Sequence, residues 1–188
     1  LLRARVVVDA TGGHSGLLEC RTEPAAWQTA YGVTITVPGG HPWPLDEICL
    51  MDFRGTDALP TFLYAQPLDA ERVFVEETVL IRRPAVPTAA LQQRLFARLA
   101  DMGVRGEPGD DVEHCRIRML GTRPVFGQRV VGFGSSAGMV HPATGYQLAR
   151  LPAGAEAIAD ALVTGLQHSP GAAACLLYTS DAADDSAC

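Results

Sequence analysis

The sequence contains no lysine: all 15 of its basic residues are arginine. With its abundant alanine, glycine and proline, this suggests a GC-rich genome and a bacterial source, a point about codons and not about chemistry. No apolar run approaches the roughly 18 residues needed to cross a bilayer, which excludes a transmembrane helix in this stretch. The opening residues do not read as a signal or transit peptide, so none is expected within this stretch. No basic stripe offers nucleic acid an electrostatic footprint. Cysteine is sparse. Cys20, Cys49 and Cys115 are scattered through the body of the chain, and an odd number at these spacings argues against both a disulfide framework and a zinc site. A reducing compartment is the expectation. There are no internal repeats.

The ends are also marked by what is missing. No initiating Met is present, and Leu1–Ala10 begins almost directly in a strand, so a truncation is expected there. At the other end, CLLYTSDAADD from Cys175 to Asp185 bears no relation to what precedes it and resembles the translation of a sequencing-library transposon adapter. Residues 171–188 are expected to be a disordered or artefactual tail. Asp181, Asp184 and Asp185 in that tail carry half of the formal net charge of −6, so the body is only mildly acidic. At 188 residues and 47% hydrophobic content, the chain is long enough to bury one good core or to be part of something larger.

The body is organised around Arg129–Arg150, RVVGFGSSAGMVHPATGYQLAR. An apolar run to Gly134 predicts a buried strand. Small residues follow, and from Ala143 the spacing predicts a helix through Leu148, Leu151, Ala155, Ile158 and Leu162, with Pro142 at its entry. A strand, glycine turn and helix in succession bring backbone close to a ligand and aim N–H groups at it. Near the start, ARVVVDA predicts a strand running into Thr11, Gly12 and Gly13, with Asp9 and Thr11 fixing the turn through side-chain hydrogen bonds. Between these two pieces lie strand candidates at Gln28–Val37, Ile48–Arg54, Pro60–Pro67, Arg72–Ile81 and Val112–Met119. Without helices between most of them, they predict one mostly antiparallel sheet. A single helix is predicted after Pro87, with Thr88 as its N-cap, Leu91, Leu95, Leu99 and Met102 as its apolar face, and Gly103 closing it. His14–Pro24 and Gly106–Asp111 read as loops.

One pair of residues carries chemistry. In a strand, Glu76 and Glu77 point to opposite faces, Glu76 with Phe74 and Thr78, Glu77 with Val75 and Val79. At least one carboxylate therefore lies on an otherwise apolar face. Burial would raise its pKa and keep it protonated near neutrality, as an acid that protonates a hydrocarbon must be. Periodicity does not choose between the two, and an exposed glutamate on an edge strand is the alternative. Asp52 and Arg54 share a face by the same period. They would orient or charge-balance that acid, or form an ordinary surface pair. His141 is either a proton relay or a hydrogen-bonded structural residue. Tyr31, Phe62, Tyr64 and Tyr146 either face a cation or belong to the core.

GMVHPATGY with Ala149 and Arg150 resembles the flavin-facing segment of lycopene cyclases, flavoproteins of carotenoid biosynthesis. FVEET at Phe74–Thr78 resembles their acid-bearing strand. QTAYG, MDFR, PTFLYA and the Arg83–Pro84 pair keep the family's order between about Val6 and Leu162, and the run into DATG resembles a recurring segment of two-dinucleotide-binding-domain flavoproteins. Related monooxygenases carry an Asp where this chain has Ser135. The GxGxxG turn that holds the ADP part of FAD is absent and is expected before Leu1. The resemblance implies a mixed α/β fold. It would be an incomplete Rossmann-like FAD domain (residues 1–16 and 122–170) with an inserted substrate-binding sheet domain (residues 17–121). It implies catalysis by Glu76, with Glu77, Asp52, Arg54 and His141 in support. The flavin would lie against Gly12, Gly134, Ser135, Gly138, Met139, Pro142, Ala143, Thr144 and Gly145. It implies reduced FAD as a non-redox partner kept reduced by NAD(P)H, a lycopene-like substrate met at a membrane surface, and a peripheral place on the cytoplasmic side. A redox flavoenzyme, such as a monooxygenase or a polyprenyl reductase, is the alternative.

Overall fold

The computed structural model describes residues 4–13, 16–55, 59–125 and 128–168, and the tail discussed above lies outside them. In chain order the elements are β1 (Val7–Asp9), β2 (Cys20–Thr36), β3 (Cys49–Asp52), β4 (Thr61–Pro67), β5 (Arg72–Arg82), α1 (Thr88–Asp101), β6 (Glu107–Pro124), β7 (Val130–Gly132) and α2 (Arg150–His168), with a 3₁₀ turn at Gly134–Ala137 before α2. The chain divides into two compact units, Leu1–Ala25 with Arg118–Cys188, and Ala26–Ile117.

In the first unit, β1 and β7 pair in parallel, with Val7 opposite Val130 and Asp9 opposite Gly132. Parallel neighbours need a long crossover, and here the crossover contains the whole second unit. Val131 is buried against Val6 and, from α2, Ile158, Ala161 and Leu162. The helix begins at Arg150, seven residues later than the spacing predicts. The intervening residues are spent on a turn. Gly145 takes φ +77, a left-handed value that interrupts a right-handed helix. The Gly145 N–H donates to the His141 carbonyl at 2.9 Å, and the His141 N–H to the Tyr146 carbonyl at 3.0 Å. Pro142 therefore sits in a turn and not at a helix entry.

The second unit is built on the five-stranded sheet, in the order β3-β4-β5-β2-β6. The β2–β5, β3–β4 and β4–β5 pairs are antiparallel. One face of the sheet carries Tyr31, Val33, Ile35, Leu63, Ala65, Val73, Val75 and Val79. Leu91, Leu95 and Leu99 of α1 pack on it. Fully burying aliphatic side chains of this size is worth about 1.5–3 kcal/mol each, so this layer dominates the unit's stability. Thr88 is the first helical residue and Pro87 the N-cap, without a side-chain cap bond. The missing proline donor makes that position tolerable. Gly103, at φ +75, ends the helix as expected.

Two predicted loops are strand in part. β2 starts at Cys20, and β6 starts at Glu107 where GEPGDD reads as a turn. The glycines there serve close approach. A Cβ at Gly106 would stand 3.1 Å from the Thr36 carbonyl oxygen, and one at Gly109 3.2 Å from that of Thr34. Pairing with β2 overrides the local turn preference.

Candidate functional site

Glu76 and Glu77 lie at the centre of β5. Glu77 is opposite Tyr31 and Leu63, on the face covered by α1, whereas Glu76 is opposite Gly32 and Tyr64 on the other face. The two carboxylates meet different chemistry. Glu77 is 1% exposed and receives both prongs of the Arg98 guanidinium, Nε to Oε2 at 2.8 Å and Nη2 to Oε1 at 2.9 Å. Arg98 also donates to the carbonyls of Asp52 and Arg54. The helix is thereby tied to the end of β3 as well as to β5. Glu77 is a structural member of a buried bidentate pair, a role the sequence reading did not give it. Arg98 was missed, although a signal exists: it falls three residues after Leu95, inside the apolar stripe of α1.

Glu76 is half-buried, and among the described residues it forms no ion pair. Its Oε1 accepts a hydrogen bond of 2.6 Å from the Thr78 hydroxyl, and Thr78 is 1% exposed. Burial pushes the Glu76 carboxyl above its ordinary value. The Thr78 hydrogen bond opposes that push, and the nearby charge of Glu113 adds to it. Cys115, also on β6, is raised mainly by burial and further by the charges of Glu76 and Glu113. The face grades from Ala30, Phe62 and Thr78, which are buried, through half-buried Tyr64, Phe74 and Glu76, to exposed Gln66 and Thr36. Gly32 makes room in this row. A Cβ there would stand 2.5 Å from Phe74 Cζ and 3.4 Å from Glu76 Cβ, so the end of the phenyl ring occupies the space beside the acid. Among the described residues, the arrangement is a carboxyl at the edge of an apolar, aromatic surface with no cation to hold it ionised, which suits a proton donor.

The other candidates separate. Asp52 and Arg54 do pair, with Nη2 to Oδ2 at 2.8 Å, but not by sharing a strand face. β3 ends at Asp52, its register shifts between Cys49 and Asp52, and Met51 takes φ +53, which swings Arg54 into a turn. The Arg54 side chain is 87% exposed. Such a pair is worth about 0–1 kcal/mol. The Arg54 hydrogen bond holds the Asp52 carboxyl below its ordinary value, against burial. Tyr31 belongs to the core, and its hydroxyl accepts from Gln92 of α1 at 3.1 Å, on the face opposite Glu76. Phe62 and Tyr64 share the Glu76 face and meet edge-on, with ring centroids 5.0 Å apart.

The glycine turn belongs to the first unit. Asp9 is 1% exposed and accepts from the Thr11 N–H at 2.9 Å and the Thr11 hydroxyl at 2.7 Å, the turn expected from the sequence. The Thr11 N–H is the main cause of the lowered Asp9 carboxyl. Burial opposes it, and the hydroxyls of Thr11 and Ser136 assist. Ser136 donates to the Gly12 carbonyl at 2.8 Å and so ties the 3₁₀ turn to the end of β1. Ser135 accepts from Gln147 at 2.7 Å. The N–H groups of Gly138, Met139, Thr144 and Gly145 are bonded to carbonyls within the segment, and that of Ala143 to His141 Nδ1 at 3.3 Å. His141 Nδ1 also lies 3.1 Å from the Thr144 hydroxyl, so the imidazole is engaged in shaping the turn. Gly134, Gly138 and Gly145 take φ of +68, +74 and +77, and at Gly12, φ +97, a Cβ would meet nothing within 4 Å. The open backbone at Gly12 fits the approach of a flat ring, whereas a Cβ at Gly134 would meet Gln147 Oε1 at 3.5 Å and Leu151 Cδ2 at 3.6 Å.

A parallel strand pair feeding a glycine turn and a helix, with an antiparallel sheet inserted between its strands, is the fold of a partial Rossmann-like FAD domain carrying a second, sheet-based unit. A geranylgeranyl bacteriochlorophyll reductase-like protein from Thermoplasma acidophilum shares it, with a TM-score of 0.62 over 91% of this chain and 44% of that one, at 14% identity. That likeness concerns the fold alone. Residues 1–186 match the family described as "Lycopene cyclase protein", and the chain belongs to that family. It is 39% identical over 175 residues to the chloroplastic/chromoplastic lycopene beta cyclase of Capsicum annuum, covering 86% of this chain and 35% of the pepper protein. It is also 39% identical over 174 residues to the chromoplastic capsanthin/capsorubin synthase of Citrus sinensis, covering 86% of this chain and 34% of that protein. The chain thus spans about a third of the length of these relatives. Among the described residues, no helix is long and apolar enough to cross a membrane.

Proposed function

We propose that this chain is part of a lycopene cyclase in which Glu76 is the acid that starts ring closure. The Glu76 O–H bond breaks, its electron pair stays on oxygen, and the π pair of an end-group double bond of lycopene takes the proton. The cation on the neighbouring carbon is attacked by a second double bond, and loss of a proton from the new ring leaves a β- or ε-type end group. One proton enters and one leaves, so the product is an isomer of the substrate. The observation that carries this reading is the half-buried Glu76 carboxyl, raised by burial and, among the described residues, held by the Thr78 hydroxyl with no ion pair. Family membership and the names of the relatives support the substrate class.

FAD in its reduced form, when bound, would supply an electron-rich ring that stabilises positive charge, and NAD(P)H is the proposed source of its electrons. Gly12, Gly134, Ser135, Gly138, Met139, Pro142, Ala143, Thr144 and Gly145 are the residues proposed to hold it. Because lycopene dissolves in membranes, the parent enzyme is proposed to work at a membrane surface. The arginine-only basic complement supports a bacterial source, and so the cytoplasmic side of that membrane. In the full-length parent, Glu76→Gln should abolish ring formation from lycopene while flavin binding, followed by absorbance, stays intact. Cyclisation retained by that variant would remove the assignment.

A further inference from the structure

Thr78 has no part in the chemistry as described so far, yet its side chain touches the acid. The two residues are neighbours on one face of β5, two positions apart, and the contact is the short hydroxyl bond to Glu76 Oε1 at 2.6 Å. Thr78 is 1% exposed, whereas Glu76 is half-buried. A carboxyl oxygen that accepts a hydroxyl proton is the carbonyl-like oxygen of the acid. The transferable proton then belongs on the other oxygen.

Resting on the proposed role of Glu76, we infer that Thr78 is a positioning residue that pins Oε1 and so selects Oε2 as the oxygen that delivers the proton. The same bond acts after transfer. When the O–H bond at Oε2 breaks, negative charge spreads over both oxygens, and the Thr78 hydroxyl already points at one of them. Hydrogen bonds to a charged acceptor are the strong ones. The hydroxyl therefore stabilises the conjugate base without a basic side chain that would have ionised the acid beforehand. The contrast with Glu77 is direct, since a guanidinium there holds the carboxylate.

The other groups around Glu76 are Tyr64 on β4 and Gly32 on β2, opposite it in register. Glu113 and Cys115 on β6 act on it or feel it electrostatically. Gly32 has no side chain to offer Oε1, and the effect of Glu113 is repulsive.

The test uses the full-length parent with lycopene, reading kcat, KM and the pH profile of kcat for Thr78→Val, Thr78→Ser and Glu76→Gln. Thr78→Val keeps the shape and removes the hydroxyl. Its kcat should fall about 10- to 100-fold, the loss of one hydrogen bond to a charged group, with KM nearly unchanged. The alkaline limb of its profile should move to higher pH, because the bond that stabilises the carboxylate is gone. Thr78→Ser should restore both. Wild-type kcat and an unmoved limb in Thr78→Val would overturn the inference while leaving Glu76 as the acid, provided Glu76→Gln is inactive. An active Glu76→Gln would overturn the acid itself and the inference with it. If Thr78→Val does not accumulate as folded holoprotein, Thr78→Ala replaces it. Equal kcat in the alanine and serine variants would then refute a role for the hydroxyl.

Discussion

The two faces of the five-stranded sheet carry adjacent glutamates of the same strand in contrasting surroundings. On the face under α1, Glu77 is sealed in and clamped by Arg98, whose Nε lies 2.8 Å from its Oε2. On the other face, Glu76 sits where buried aromatic surface gives way to solvent, with a hydroxyl at 2.6 Å and, among the described residues, no ion-pair partner. The residue type is the same, and so is the backbone. The difference is the partner, and it separates a carboxyl that holds a helix in place from the one proposed to transfer a proton. A buried charge pair contributes through what its loss would leave behind, whereas an unpaired half-buried acid contributes through its altered proton affinity.

Breaking the comparison at its functional end gives the largest effect. Glu76→Gln in the parent should lower ring formation by about 10²–10⁴-fold or more, the usual contribution of a general acid, with little change in urea midpoint. Product analysis from lycopene and an unfolding curve check the two halves of that statement. At the structural end, Arg98→Ala strands a buried carboxylate and should cost about 3–5 kcal/mol of stability. Replacing Glu77 and Arg98 together by Leu and Met should cost much less than the sum of the single changes. Denaturant unfolding of the double-mutant cycle decides it.

A smaller effect separates Glu76 from Asp9 by the sign of their pH dependence. Glu76 is raised, so its contribution to stability is present below the unfolded carboxyl value and is lost as pH rises through the raised value. Asp9 is lowered, so its contribution is present above the unfolded value and is lost as pH falls through the lowered one. Urea midpoints measured against pH for wild type, Glu76→Gln and Asp9→Asn should show these opposite slopes, each cancelled in its own variant. Smallest of all is Gly32→Ala. The added methyl clashes with the end of the Phe74 ring, which can turn away, and comes into ordinary contact with Glu76 Cβ at 3.4 Å. The stability change should stay within about 1 kcal/mol, because restored strand propensity offsets the repacking. Ring formation should nonetheless fall, because the phenyl ring is displaced beside the acid.

Period-two reasoning located β5, put the two glutamates on opposite faces, and identified the stripe of α1 that covers one of them. It left open which glutamate was free. The answer depends on Arg98, a residue 21 positions away whose position in an apolar helical stripe was the available signal. The errors share one cause. Glu107, Pro108 and Gly109 read locally as a loop, yet pairing with β2 made them strand, and Gly106 and Gly109 served the close backbone contact. Pro142 read as a helix entry because the apolar spacing already looked helical, but the left-handed Gly145 delays α2 to Arg150. Asp52 and Arg54 found each other through a turn after Met51, where a period-two rule no longer applies. Local pattern identifies elements. Non-local pairing and single left-handed residues set their limits.

The central claim is that Glu76 remains protonated where an ordinary glutamate would not. Infrared difference spectra of the full-length parent against its Glu76→Gln variant, taken across pH, isolate the C=O stretch of that one carboxylic acid. The account predicts a band lost in the variant that persists in wild type above the ordinary glutamate range. A band that titrates at or below that range would contradict it.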